Sequence, residues 1–218
     1  EAEISRVKGH FTIPPYEALD DHFPETDDRI ADNSGFSDWI KHNVKPHKQA
    51  GYSIVNMALK QTGIPPGDIT DKQLETVADL ADEFSFGEAR VTHEQNLTLA
   101  DVPKKSLFSL WQALVSAKLA TPNLGLLTDI ICCPGGDYCS LANAKSIPVA
   151  EAIQRQFDDL DYLHVLGPLD LNISGCMNAC GHHHVGNIGI LGVDKKGEEF
   201  YQVSIGGSGY EDASLAKI

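Results

Sequence analysis

Four of the five cysteines in this 218-residue chain fall into two short clusters, Cys133-Pro-Gly-Gly-Asp-Tyr-Cys139 and Cys176-Met-Asn-Ala-Cys180, both set among glycines. Thiolates on permissive loops are the ligands of iron-sulfur clusters and of structural zinc. Gly135, Gly136, Gly175 and Gly181 give the backbone freedom to turn N–H groups toward such a centre. The spacing suits a metal-sulfur site rather than a disulfide framework. The fifth cysteine, Cys132, adjoins Cys133, and adjacent side chains on an extended segment point to opposite faces. Cys132 is therefore assigned to core packing. An odd cysteine count without a secretory signal at the start implies reduced thiols and a cytoplasmic location.

On the residues alone three readings stay open. Zinc knuckles commonly separate paired cysteines by roughly two to four residues. Residues 134–138 make the first pair loose for a knuckle, so spacing favours iron-sulfur over zinc. Unmetallated buried thiols are the third reading, since free cysteine is among the most buried residue types.

The elements that must carry these loops are legible from periodicity. Residues 1–44 are rich in Pro, Asp and His, with turn signals at Phe23-Pro-Glu-Thr-Asp-Asp28 and Asp32-Asn-Ser-Gly35, and read as an extended lead-in or linker. Tyr52 to Lys60 is strand-like. Ile64-Pro-Pro-Gly67 breaks that run before Thr70, whose capping-box partner is Gln73. Leu74, Val77, Ala78, Ala81 and Phe84 then predict a helix ending near Gly87. Alternation around Ala89, Val91, Leu97 and Leu99 predicts one strand or a bent pair, stopped by Pro103. Leu107, Leu110, Trp111, Leu114 and Val115 predict a second helix.

The second part opens with an expected strand from Leu126 to Ile131, feeding the first cysteine cluster. A helix from about Pro148 through Phe157 follows. The expected strand Leu169 to Ser174 delivers the second cluster, and Val185 to Val193 and Glu199 to Ile205 form a hairpin around Asp194-Lys-Lys-Gly197. The fold class is α+β: a lead-in (1–44), a ferredoxin-like half-domain (45–120) and a mixed-sheet α/β domain (121–218). The net charge of −14 disfavours nucleic acid and anionic membrane as partners. No apolar run approaches the roughly 20 residues of a membrane span.

The segments Asp129-Ile-Ile-Cys-Cys-Pro-Gly-Gly-Asp-Tyr-Cys-Ser-Leu-Ala-Asn-Ala-Lys-Ser146, Asn172-Ile-Ser-Gly-Cys-Met-Asn-Ala-Cys-Gly181 and Gly189-Ile-Leu-Gly192 resemble the sirohaem-dependent sulfite and nitrite reductases. The likeness runs over residues 42–218 and is nearest to the bacterial assimilatory haemoprotein type. Ala89-Arg-Val-Thr-His-Glu-Gln-Asn96 resembles that family's ferredoxin-like half-domain signature. The resemblance implies that Cys133, Cys139, Cys176 and Cys180 ligate a 4Fe-4S cluster, and that Cys180 bridges it to sirohaem iron. It further implies six-electron reduction of sulfite to sulfide, or nitrite to ammonia, fed by a ferredoxin or a flavoprotein reductase.

The same resemblance puts the family's basic, substrate-binding residues mostly in the other half of the polypeptide. The chain is thus expected to be the second half of an enzyme, a fragment without the family's carboxy-terminal helix, partnered by the N-terminal half. No catalytic residue is assigned within it. Asn178 is a candidate for the macrocycle edge or for an Asx turn. His182-His-His184 is a candidate for the cofactor surroundings or for solvent. Arg90 and His93 read as structural, and Lys45-Pro-His47-Lys48 as a donor strip or a solvated charge run. The competing function is a non-catalytic zinc or iron-sulfur electron-carrier module.

Overall fold

The computed structural model describes residues 1–10, 13–21 and 33–218. The turn signal at 23–28 lies outside them. Two four-stranded sheets, each with its own apolar core, organise these residues.

The first sheet is antiparallel, in the order β1 (Val44–Pro46), β2 (Tyr52–Met57), β4 (Leu97–Pro103), β3 (Ala89–Val91). Helices α3 (Asp71–Phe84) and α4 (Leu107–Ser116) pack on it, burying Val77, Leu80, Leu107, Leu110 and Leu114. The capping box forms as the sequence dictates: Thr70 Oγ1 accepts from Gln73 N–H, and Gln73 Oε1 accepts from Thr70 N–H at 3.1 Å. At the other end Gly87, at φ +74°, donates back to Ala81 O and terminates the helix.

The lead-in is not wholly extended. Besides the short exposed helix α1 (Ala2–Lys8), residues Ser34–Asn43 form α2. Asn33 caps it by accepting from Phe36 N–H, and Phe36, Trp39, Ile40 and Asn43 make a buried stripe. The polar and turn-rich residues before Asn33 mask this short amphipathic period. Phe36 and Trp39 are fully buried in the first core.

The second sheet runs β5 (Ile131–Cys132), β6 (Leu171–Ser174), β7 (Ile188–Lys195), β8 (Glu198–Ile205). Its first three strands are parallel and the last pair is an antiparallel hairpin. Lys196 and Gly197, both with positive φ, form the two-residue turn that matches strand twist. Helix α5 (Ile147–Gln156) covers this sheet, and α6 (Leu160–Leu166), which periodicity does not announce, is started by Asp159 accepting from Tyr162 N–H.

One predicted strand is largely replaced by turns. Leu126, Leu127 and Ile130 are buried, yet Leu126 N–H bonds Asn123 O and Asp129 N–H bonds Leu126 O. Asp129 Oδ2 also accepts from Gly125 N–H at 3.0 Å. These local bonds satisfy the backbone without a ladder, and only Ile131 and Cys132 remain extended.

Candidate metal centre

Because β5 and β6 are parallel neighbours, both cysteine loops leave the same edge of the sheet. The register Cys132↔Ile173 places Cys133 next to the residues just before Cys176, and Cys133 N–H donates to Ile173 O at 3.1 Å. Gly175 N–H points at Cys133 Sγ, 3.0 Å away. An N–H directed at sulfur fixes the orientation of that side chain.

The loops interlock. Asn143 and Ala144 donate to Gly175 O at 2.8 and 3.1 Å, and Gly136 N–H donates to Ala144 O at 3.0 Å. A methyl group on Gly175 would sit 2.8 Å from Gly135 Cα, and one on Gly135 would sit 2.4 Å from Ser146 N. Glycine at 175 is therefore required by contact between the two loops, and glycine at 135 by the closeness of Ser146 and by its φ of +59°. The second loop turns back on its own strand: Gly181 N–H donates to Ser174 Oγ, and Asn172 Nδ2 donates to His182 O.

Cys133 and Cys176 are buried, Cys139 is half-buried and Cys180 is exposed. Among the described residues no group of three or more His, Cys, Asp or Glu side chains is arranged to hold a metal ion. In type and in loop placement the donor set fits a thiolate-ligated cluster: four cysteines on two converging loops, with a backbone N–H already on one sulfur. Tyr138 and Leu141 in the first loop and Met177 in the second are exposed apolar side chains, Tyr138 and Met177 each being 83% exposed.

The remaining sequence candidates separate. Cys132 is buried, and burial, with Cys133 next, pushes its thiol up to about 12, as befits packing rather than ligation. Asn178 lies exposed between Cys176 and Cys180. His183 Nδ1 is buried without a hydrogen-bond partner, and burial, with His184 next, lowers the pKa of its ring. Arg90 pairs with Glu88 and His93 with Glu94 on the surface. His47 turns inward to Asp101, 3.3 Å away, where Tyr16 O–H also donates, so the Lys45–Lys48 strip is not a uniform charge run.

Side chains from the ferredoxin-like side reach the cysteine strand and the turn before it, and only tertiary structure reveals these contacts. Gln95 Nε2 donates to Cys132 O and Gln95 Oε1 accepts from Cys132 N–H, both at 2.8 Å. Lys60 Nζ, wholly buried, meets Asp129 Oδ1 at 3.1 Å. The signal for Gln95 was its place within Arg90-Val-Thr-His-Glu-Gln-Asn96, a stretch whose partner periodicity cannot name.

Residues 60–117 match the family model of the nitrite/sulfite reductase ferredoxin-like half domain. Ferredoxin–nitrite reductase of Synechococcus elongatus is 30% identical over 191 residues, covering 83% of this chain and 35% of that protein. Sulfite reductase [ferredoxin] 2 of Mycolicibacterium paratuberculosis is 28% identical over 184 residues, covering 79% and 33%. The solved structure of the Mycobacterium tuberculosis NirA protein superposes with a TM-score of 0.62 at 26% identity, covering 80% of this chain and 32% of that one. The chain thus spans about a third of the length of the proteins it matches, and the half-domain match takes in α3, β3, β4 and α4. In sequence and in fold, this chain belongs to the nitrite and sulfite reductase family.

Proposed function

We propose that this chain is the cluster-bearing portion of a sirohaem and 4Fe-4S reductase that converts sulfite to sulfide or nitrite to ammonia. Cys133, Cys139, Cys176 and Cys180 are the ligand set, and Cys180, the exposed member, is the one shared with sirohaem iron. When bound, the cluster and sirohaem supply the electron path and the redox chemistry at the oxyanion. The chain's own share is to hold four thiolates on two rigidly interlocked loops.

One observation carries this reading: the two cysteine loops emerge side by side from parallel strands, and Gly175 N–H already donates to Cys133 Sγ. Cys133 and Cys139 on the first loop and Cys176 and Cys180 on the second would hold the cluster, each thiolate on a permissive, glycine-bearing loop. The exposed apolar side chains of Tyr138, Leu141 and Met177 on the two loops would give a macrocycle edge and the rest of the polypeptide a surface to meet, and exposed Asn178 would meet the macrocycle edge. Basic groups for the oxyanion come from the remaining polypeptide, the N-terminal half, since this chain is strongly acidic. A ferredoxin, as in the names of the relatives, is the electron donor, with a flavoprotein reductase as its alternative. Reduced thiols suit a cytoplasmic setting.

Anaerobic reconstitution with iron and sulfide tests the ligand set. The expected product is brown, with iron and sulfide in equal amounts, and Cys180→Ser, Cys176→Ser and Cys139→Ser each lower that content. Colourless protein that takes up zinc stoichiometrically would support the carrier-module alternative instead.

A further inference from the structure

The outer edge of β5 is where one sheet would otherwise end. Along that strand Ile131 and Cys133 direct their backbone groups toward β6, so Cys132 N–H and C=O face the other way. An edge strand leaves such a pair unsatisfied. Here the carboxamide of Gln95 occupies the position of a neighbouring strand, accepting from Cys132 N–H and donating to Cys132 O, both at 2.8 Å. Two parallel hydrogen bonds from one planar amide fix the orientation of that peptide as well as its place.

Gln95 is itself held in an unusual state. Its backbone is left-handed, at φ +60°, in the turn between β3 and β4, where Gln95 N–H donates to Thr92 O. A non-glycine residue in this region persists only where its surroundings impose it. Gly67 leaves room for it, since a methyl group there would lie 3.1 Å from Gln95 Cβ. The next residue, Asn96, donates to Asp129 Oδ1 at 3.0 Å, so the same turn grips the chain both before and at the cysteine strand.

We infer that Gln95 is a positioning residue: its side chain fixes the Cys132 peptide and thereby the direction in which the Cys133 thiol leaves β5. This rests on the reading of Cys133 as a ligand. The ferredoxin-like unit then takes part in building the cluster site, by presenting one amide to the strand that carries the first thiol.

The test uses the chain free of metal and after reconstitution. In Gln95→Leu, similar in size and without polar atoms, alkylation of Cys133 by iodoacetamide, followed by mass spectrometry, is expected to rise about tenfold, the factor that matches loss of two hydrogen bonds to buried backbone. Cys176, on the loop that follows the neighbouring strand, keeps its rate. Gln95→Glu, which retains the acceptor for Cys132 N–H and loses the donor, falls between, and this partial rescue separates positioning from general loosening. Equal acceleration at Cys133 and Cys176, or none at Cys133 in a folded variant, would overturn the inference. After reconstitution, the visible spectrum and reduction potential of Gln95→Leu should differ from those of the parent. If the parent takes up no cluster, the ligand reading fails, while the alkylation series still decides the role of Gln95.

Discussion

Lys60 and Asp129 form an ion pair at 3.1 Å in which the Lys60 side chain has no solvent exposure and that of Asp129 only 8%. It joins the end of the first sheet's β2 segment to the turn that precedes the first cysteine strand. Lys60 Nζ also donates to Glu94 O at 2.6 Å, and Asp129 receives Asn96 Nδ2 and Gly125 N–H. Every charged atom at this junction is hydrogen-bonded, which is the condition for a buried pair to persist. Lys60→Met should therefore cost about 3–5 kcal/mol, because it strands a buried carboxylate. Lys60→Met combined with Asp129→Asn should cost less than the single change, and urea denaturation midpoints of the three proteins check the ordering.

A second junction responds to pH. His42 of α2 and His164 of α6 stack with ring centroids 4.6 Å apart and planes inclined by 12°. His164 Nε2 lies 3.0 Å from Pro122 O, whereas His42 Nε2 is buried without a partner. Burial first, then His164, Lys41 and Lys45, push the His42 pKa below 6.5, against a smaller opposing effect of Asp38. The unfolded chain consequently binds the proton more tightly than the folded one. Stability is full above pH 6.5 and falls as pH drops below that value toward the folded pKa. His42→Phe keeps a stacked ring and removes the charge, so it should flatten the loss of stability between pH 6.5 and 5, read from thermal melts across that range.

How much of this was legible depended on whether a signal was local. The α3 helix announced itself at both ends, through Thr70 and Gln73 at its start and Gly87 at its close. The hairpin did so through Lys196 and Gly197. The cysteine loops were legible because ligand spacing and glycine content are properties of short stretches. The segment 126–131 misled because buried apolar residues satisfy a strand pattern equally when the Asp129 side chain and local turn bonds, such as Leu126 N–H to Asn123 O, hold the backbone in turns. Helices α2 and α6 are short, and each depends on one capping side chain, Asn33 or Asp159, within polar sequence. Gln95 and Lys60 were out of reach because their partners lie 37 and 69 residues away, and no periodicity encodes such a pairing.

Thiol reactivity distinguishes the five cysteines without any metal. Alkylation proceeds through the thiolate and requires access. Cys180 is exposed and Cys139 half-buried, whereas Cys132 is buried with its thiol pushed up to about 12. In the reduced, metal-free protein at pH 8, iodoacetamide should label Cys180 first, Cys139 next and Cys132 last. Peptide mapping at successive times gives the order. Early labelling of Cys132 would show that the second core around it is open, and would argue against its packing role.

The contact between Gly135 and Gly175 decides whether the two loops can stay together. A methyl group on Gly175 would meet Gly135 Cα and Ala144 O at 2.8 Å and Ser146 Oγ at 3.0 Å. The first two are backbone atoms, which cannot swing aside as a side-chain tip can. Gly175→Ala should therefore destabilise the protein by about 1–3 kcal/mol, the range of overpacking. It should also abolish iron uptake, because separation of the loops moves Gly175 N–H off Cys133 Sγ and parts the first cysteine pair from the second. Gly167→Ala is the matched control. Gly167 has φ +80° and ψ −166°, a backbone region essentially reserved for glycine, with open space around a would-be methyl group, so that change brings only backbone strain of about 1–3 kcal/mol. Melting temperatures of the two variants should be comparable, while iron and sulfide content after reconstitution falls in Gly175→Ala alone. Loss of both in Gly167→Ala would mean that iron uptake follows overall stability, and retention in Gly175→Ala would show that the cysteine pairs do not act together.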